Sequence, residues 1–278
     1  MKIISWNIQR GRWHGGCNLE RVVGSLRDIA DFDVLCLQEV SSGYMDLPGL
    51  DGSNQFRTLA WLLPEYMAIS GINMDTLGER GRLLMGNMIF SRLPVSQVLR
   101  HALPWPADGA AMSMQRGAIE ATINTPGGLL RVINTHLEYF SPLQRAAQVE
   151  RLRELQRDAH LQAMVNPPGD ADNGPFCAFP RAAPALLAGD FNFLPQSAEY
   201  HRLQTSFDDG VPHWCDVWNH AYPEQPHAST VCLHDATAIP FTFDFLFVTA
   251  GLGRRVRSMR VIDGHFGSDH QPLLIELD

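Results

Sequence analysis

At five places in this chain a polar or ionisable residue sits at the edge of an apolar run. Asn7 follows IISW, Glu39 follows VLCLQ, His136 follows RVINT, Asp190 and Asn192 follow ALLAG, and Asp269-His270 precede PLLIEL; Asp244 lies within FTFDFLFV. A single carboxylate in such a place caps a helix or holds a turn about as often as it does chemistry. Five at strand ends are different, because a sheet gathers the termini of separate strands along one rim. Glu39, Asp190 and Asp269 are hard oxygen donors, and Asn7 and Asn192 add amide carbonyls. That set suits Mg²⁺ or Mn²⁺ rather than zinc. His136 and His270 can donate to a phosphate oxygen. The chain has no glycine-rich loop ending in lysine and no GxSxG elbow. Metal-assisted attack of water on a phosphate ester is the chemistry that fits best.

The elements that must hold these residues are short apolar runs between turn signals. KIISWNI, DVLCLQEV, MGNMIFS, VSQVLRHAL, RGAIEATIN, LLRVINTHLEY, PALLAGDF, FTFDFLFV, RRVRSMRVID and PLLIEL read as strands, with RGAIEATIN and LLRVINTHLEY joined across TPGG. Asn18 is placed to cap LERVVGSLRDIA, whose apolar residues keep helical spacing. SNQFRTLAWLL reads as a second helix. The longest helix opens with Ser141 as N-cap and Pro142 behind it. Residues 166–184 read as a Pro/Gly-rich surface insertion, and 104–115 as a loop with unusual apolar content. Two strand-rich halves with helices between them predict two sheets packed face to face, helices outside. No linker splits the chain, so 1–278 is expected to be one domain.

Composition narrows the function. The 278 residues carry a formal net charge of −8, which gives no extended basic footprint for nucleic acid, although a local phosphate contact is compatible with it. All basic side chains but Lys2 are arginines, read first as coding bias. The cysteines, Cys17, Cys36, Cys177, Cys215 and Cys232, are odd in number and form no CxxC. They suggest reduced thiols and a cytoplasmic address. His213, Cys215, His220, His227, Cys232 and His234 crowd one stretch with irregular spacing and read as loop residues, not a zinc site. No signal peptide and no transmembrane run is expected, and a monomer is the expected state.

The pieces WNIQRG, LQEV, GNMIFSRLPV, NTHLEY, GDFN, FDFLF and SDHQP, in that order and across nearly the whole chain, resemble the endonuclease/exonuclease/phosphatase superfamily. The resemblance implies a four-layer α/β/β/α sandwich and a divalent-metal phosphohydrolase using Mg²⁺ or Mn²⁺. It implies that Glu39 is the direct metal ligand, with Asn7 and Asp269 beside it. Asp190 would orient or deprotonate the attacking water and Asn192 would position it or the phosphate. His136 and His270 would stabilise the phosphoryl oxygens, Asp244 would hold His270, and Asn87 would line the pocket.

The branch is open at this level. His136 stands where abasic-site endonucleases usually carry tyrosine, and Gln9 where they often carry an acid. The Trp and Arg of the inositol-polyphosphate 5-phosphatase segment are missing from IPFTFDFLF. The NTHL version looks more like deoxyribonucleases, sphingomyelinase-like phospholipases and deadenylases. The resemblance thus implies a phosphate-ester substrate, most simply a phosphodiester, with lipid phosphodiesterase and phosphomonoesterase as alternatives. A catalytically silent binding module is the non-enzyme reading, disfavoured because Glu39, Asp190 and His270 are all present. Asp269 and His270 should lie in the turn before the last strand, aided by Pro272, with Asp244 accepting a hydrogen bond from His270.

Overall fold

Ile3 and Ile4 are adjacent in sequence yet belong to separate buried clusters. Successive side chains of a strand point to opposite sides, so a strand apolar on both faces must be covered on both. That pattern recurs through the chain and dictates a layered structure. The structure, a computed structural model, describes residues 1–13, 16–47, 49–165, 168–170, 174–264 and 267–278. In chain order they form β1 (Lys2–Asn7), β2 (Arg12–Trp13), β3 (Gly16–Cys17), α1 (Leu19–Ile29), β4 (Val34–Ser42), α2 (Gln55–Leu62), β5 (Met67–Gly78), β6 (Gly81–Ser91), β7 (Val95–Ala102) and β8 (Gly117–Thr125). There follow β9 (Gly128–His136), α3 (Pro142–Val165), β10 (Ala185–Asp190), α4 (Ala198–Gln204), β11 (Trp214–Asp216), α5 (Val217–Ala221), β12 (Asp244–Thr249), β13 (Val256–Val261) and β14 (Leu273–Leu277).

Two six-stranded mixed sheets result, in the orders β13-β14-β1-β4-β6-β5 and β11-β12-β10-β9-β8-β7, while β2 and β3 form a small ribbon. The sheets face each other across a core that includes Ile3, Val34, Ile89 and Ile275 from the first and Ile119, Val132, Leu186 and Leu246 from the second. On the outer face of the first sheet, Ile4, Leu35 and Leu37 pack with Val22, Val23 and Leu26 of α1 and Leu59 of α2. On the outer face of the second, Ile133, Leu187 and Phe247 pack with Val149 and Leu152 of α3 and Tyr200 of α4. This is the α/β/β/α order of layers. Each fully buried Leu, Ile or Phe contributes about 1.5–3 kcal/mol, so both faces of every central strand help fix its register.

Both expected caps form. Asn18 Oδ1 accepts from Arg21 N at 2.8 Å, and Ser141 Oγ accepts from Gln144 N at 3.2 Å. Three differences from the sequence expectation stand out. Residues 67–78 form the edge strand β5, whose alternation is blurred because many of its side chains are exposed. The short elements α4, β11 and α5 arise in a stretch that carries no clear periodicity. Residues 253–255 make a 3-10 turn, so β13 begins only at Val256. The 166–184 insertion lies partly outside the described residues; within it, Arg181 Nη1 reaches the buried Glu120 Oε1 at 2.7 Å.

Candidate active site

Each sheet contains one parallel pair, β1 with β4 and β9 with β10. Parallel neighbours end at the same edge. Asn7, Glu39, His136 and Asp190, which all lie at or near the C-terminal ends of those strands, are therefore brought to one rim of the sandwich. The antiparallel neighbours add residues from their starts. Asp244 opens β12 directly opposite Asp190, and His270 lies just ahead of β14. A cavity of about 580 Å³ opens at this rim; Arg10, Glu39, Arg116, His136, Asp190, Asn192, Asp269 and His270 are among the residues that line it.

Local backbone geometry aims these groups. A bulge between Leu37 and Val40 interrupts the β4–β6 ladder, and Glu39 has φ +57°. The left-handed turn rotates its carboxylate into the cavity instead of leaving it in the ladder. Asn192, Gln9 and Arg10 are also left-handed, at φ +52°, +45° and +59°. At Gly189, φ is +150° and an added Cβ would lie 1.9 Å from Thr135 O, so only glycine brings β10 this close to β9 one residue before Asp190.

The carboxylates share donors. Asn7 Nδ2 donates to Asp190 Oδ2 at 2.9 Å and to Glu39 Oε1 at 3.2 Å, while Asn7 Oδ1 accepts from Gln9 N at 3.0 Å. Arg10 Nη1 meets Glu39 Oε2 at 2.8 Å. Asp190 Oδ1 accepts from Asn192 N at 3.0 Å. Asn192 Nδ2 donates to Leu137 O at 2.9 Å and to His136 Nε2 at 3.0 Å, which leaves the imidazole proton of His136 on Nδ1. Asp269 is more exposed; its Oδ2 accepts from Gln9 Nε2 at 3.0 Å.

His270 is fixed from several sides. Its Nδ1 donates to Asp244 Oδ2 at 2.8 Å, and that oxygen also accepts from Thr230 Oγ1 at 2.6 Å. Its backbone N–H bonds Ser268 Oγ at 3.1 Å, and its carbonyl accepts from Trp6 Nε1 at 2.9 Å. Nε2 faces inward, 3.8 Å from Asp190 Oδ2 and 3.9 Å from Asp269 Oδ1. Burial alone would lower the His270 pKa, but the carboxylates of Asp244, Asp190 and Asp269 outweigh it and hold the imidazole charged well above its ordinary range. His136 goes the other way. Burial, then the positive charges of Arg116, His270 and Arg10, press it well below the ordinary value, so it is neutral at pH 7. Burial raises the Asp190 carboxyl to about 7, with His270 pulling it down, Asp244 pushing it up, and hydrogen bonds from Asn7 and Asn192 restraining it.

A family profile described as "Endonuclease/Exonuclease/phosphatase family" matches residues 4–270, and so includes every one of these rim residues. The chain belongs to the endonuclease/exonuclease/phosphatase family. No curated protein sequence matches it. Among solved structures, a mannosyl-6-phosphatase of Bacteroides thetaiotaomicron is similar at TM-score 0.69 and 18% identity, over 100% of this chain and 99% of that one. An endonuclease/exonuclease/phosphatase of Beutenbergia cavernae gives 0.66 and 23%, over 99% and 70%. The TDP2 of D. rerio in complex with single-strand DNA product gives 0.62 and 19%, over 99% and 97%. At these identities the likeness is one of fold.

Family membership implies a divalent cation, and the donor set can be tested against one. Asp190, Asp244 and His270 place ligand atoms within 4.8 Å of one another. His270, however, spends Nδ1–H on Asp244 and is held protonated, so this trio is better suited to holding a proton. Glu39 fits a cation better, since it already holds one in the guanidinium of Arg10. Its carboxylate and that of the more exposed Asp269 are oxygen donors of the kind Mg²⁺ or Mn²⁺ takes. Asn7, expected as a ligand, instead turns its amide N–H toward Glu39 and gives Oδ1 to Gln9 N, so it orients the carboxylate.

The structure thus brings together Asn7, Glu39, His136, Asp190, Asn192, Asp244, Asp269 and His270. Asn87 is not brought to the cavity. It is 1% exposed and its Nδ2 donates to Gly117 O at 3.4 Å. It lies across from the Gln38–Glu39 bulge, level with the rim, but its side chain turns toward the facing sheet and not into the cavity. Four participants were not singled out from sequence. Arg10 and Arg116 enter the cavity, and Arg116 is held by Glu138, Nε to Oε2 at 3.2 Å. Gln38 and Asn134 lock the sheets together beneath the rim, Gln38 Nε2 donating to Asn134 Oδ1 at 2.7 Å and Asn134 Nδ2 to Leu37 O at 2.9 Å. The readable signal for the last two was a polar residue within an apolar strand, next to Glu39 and two before His136.

Proposed function

We propose that the chain is a Mg²⁺- or Mn²⁺-dependent phosphohydrolase that cleaves a phosphodiester by direct attack of water. The observation that carries this reading is the alignment of Asp244, His270 and Asp190 on one rim, with a charged imidazole next to a carboxyl whose pKa is about 7. A general base works best with a pKa near the working pH, and general-base help is worth about 10²–10⁴ in rate. Asp190 Oδ2 takes the proton of the attacking water. Asn192 holds the other oxygen of Asp190 through its backbone N–H and keeps that carboxylate oriented. His270 donates from Nε2 to a non-bridging phosphoryl oxygen, while Asp244 holds its ring and its charge. Arg116 adds a second cationic contact to the phosphate. Glu39, oriented by Asn7 and with Asp269 lining the same cavity, would hold the metal, which when bound neutralises charge developing on the phosphoryl group. Neutral His136 accepts from Asn192 and lends no charge.

No helix among the described residues is long and apolar enough to cross a membrane, and all five cysteines are free thiols. Reduced thiols support a cytoplasmic setting. The test is hydrolysis of bis(p-nitrophenyl) phosphate. Turnover is expected with Mg²⁺ or Mn²⁺, lost in EDTA and restored by excess metal. Turnover that is indifferent to EDTA would overturn metal dependence, and none under any metal would return the silent-module reading.

A further inference from the structure

A second cavity, of about 210 Å³, lies at the open edge of the sandwich, where β5 of one sheet meets β7 of the other under the 104–115 loop. Asn73, Arg100, His101, Trp105, Gln115 and Arg116 line its polar side. Arg116 lines the catalytic cavity as well, and Met114, two residues earlier, faces that cavity, so Met114–Arg116 is a wall common to both. The two cavities thus lie side by side, with Arg116 at the boundary.

The lining defines what fits. The indole of Trp105 is half exposed, and its Nε1 is tied to Ser113 Oγ at 2.9 Å, which fixes the ring. Arg100 is pinned by Nε to Ser70 O at 2.8 Å across the sheet junction. Asn73 and Gln115 each offer an amide donor and acceptor. A Cβ at Gly117 would lie 2.3 Å from Asn73 Oδ1, so the glycine is what allows Asn73 to sit at this junction. No carboxylate lines the cavity among the described residues. An acyl chain would not suit two guanidinium groups, and a fixed, half-exposed indole with amide donors and acceptors beside it suits the flat face and polar edge of a heterocycle. An engineered cavity of about 150 Å³ accepts benzene, so about 210 Å³ has room for one substituted ring.

We infer that this cavity is a subsite for a planar heterocycle joined to the substrate phosphate, the base of a nucleotide, stacked on Trp105 and hydrogen-bonded at its edge by Asn73 and Gln115. The inference rests on the phosphate-ester reading of the rim and specifies its substrate class. The subsite selects nucleotide esters over phospholipid and sugar phosphate esters, and it does so with a handful of contacts, as the acidic net charge requires.

Calorimetric titration in EDTA separates the two ideas, since it needs no turnover. The probes are adenosine 5′-monophosphate, ribose 5-phosphate, phosphocholine and inorganic phosphate, against the wild type, Trp105→Ala and Asn73→Ala. The nucleotide is expected to bind at least about tenfold more tightly than ribose 5-phosphate, the scale of one base–aromatic stack. Trp105→Ala should bring it down to the ribose 5-phosphate level with inorganic phosphate binding kept, which also certifies the fold. Asn73→Ala should narrow the gap part-way. Equal affinity for nucleotide and ribose 5-phosphate in the wild type, or a gap that survives Trp105→Ala, overturns the subsite alone. Absence of binding for every phosphate both in EDTA and with Mg²⁺ added overturns the phosphate-ester reading and the subsite with it.

Discussion

Arg10 Nη1 lies 2.8 Å from Glu39 Oε2, and the two side chains are only 20% and 18% exposed. The guanidinium occupies one oxygen of the carboxylate proposed to hold the metal. Gln55 Nε2 holds the Arg10 carbonyl at 2.7 Å, and Arg10 Nε is buried without a hydrogen-bond partner. If Glu39 holds the metal as proposed, Arg10 and the divalent ion would compete for one carboxylate.

Competition makes opposite predictions for the two partners. Arg10→Ala should tighten Mn²⁺ binding, by roughly three- to tenfold, because it removes a like charge and frees Glu39. Glu39→Gln should weaken Mn²⁺ binding at least about tenfold without unfolding the chain. Titration of both variants by calorimetry, with melting temperature as the control, checks the pair. Unchanged affinity in Arg10→Ala would remove the competition, and unchanged affinity in Glu39→Gln would remove the ligand.

Asp190→Asn keeps the shape and the Asn192 contact of the side chain but cannot take a proton from water. A loss in kcat of about 10²–10⁴ is expected, with KM within a few fold. The wild-type acid limb should fall near the Asp190 value of about 7, and metal nearby should move it lower. A loss under about tenfold would place the base elsewhere.

The rim was readable in sequence because strand ends are marked by the change from apolar to polar residues, as at VLCLQ-Glu39 and ALLAG-Asp190. Its shape was not. The bulge that turns Glu39 inward depends on how β4 pairs with β6, and pairing is a tertiary fact. Arg10 and Arg116 look like any of the chain's many arginines until folding sets one beside Glu39 and the other beside Glu138. Asn87 misled for the same reason. A polar residue in a strand signals an inward-facing group, and which way its side chain turns at the bulge decides whether it reaches the cavity or, as here, the Gly117 carbonyl. Strand β5 was missed because an exposed edge strand needs no alternation.

Away from the rim, Glu120 is 1% exposed and meets Arg131 Nη1 at 3.4 Å, Arg181 Nη1 at 2.7 Å and His101 Nε2 at 3.4 Å. Burial would raise its pKa, but those partners hold it below the ordinary carboxylate value. Arg131 is fully buried. Glu120→Gln should destabilise the fold by about 3–5 kcal/mol, because it leaves two arginine charges without their carboxylate. Urea unfolding measures this. A change below about 1 kcal/mol would mean that water or the 166–184 segment compensates.

Under the proposed mechanism, the pairing of Asp244 with His270 should govern the alkaline side of the reaction. The folded pKa of His270 is raised above the ordinary imidazole value of about 6.5. The stability it brings is thus fully present below that value and is lost as pH rises through the folded pKa. Activity should follow the same proton, since the proposed mechanism has the imidazolium donate to the phosphate. Asp244→Asn removes the carboxylate at 2.8 Å, so the folded pKa drops and the basic limb of kcat moves to lower pH. Maximal kcat should also fall, by roughly 10–10²-fold, as the ring loses its orientation. His270→Ala should abolish that limb. Asp244→Asn should narrow its stability deficit against wild type as pH rises from about 6 to 9, since the wild type loses there what the variant never had. A pH–rate profile from 5 to 10 beside urea melts across the same range reads both effects. A basic limb that stays in place in Asp244→Asn would show that another group sets the charge of His270, even if His270→Ala proves inactive.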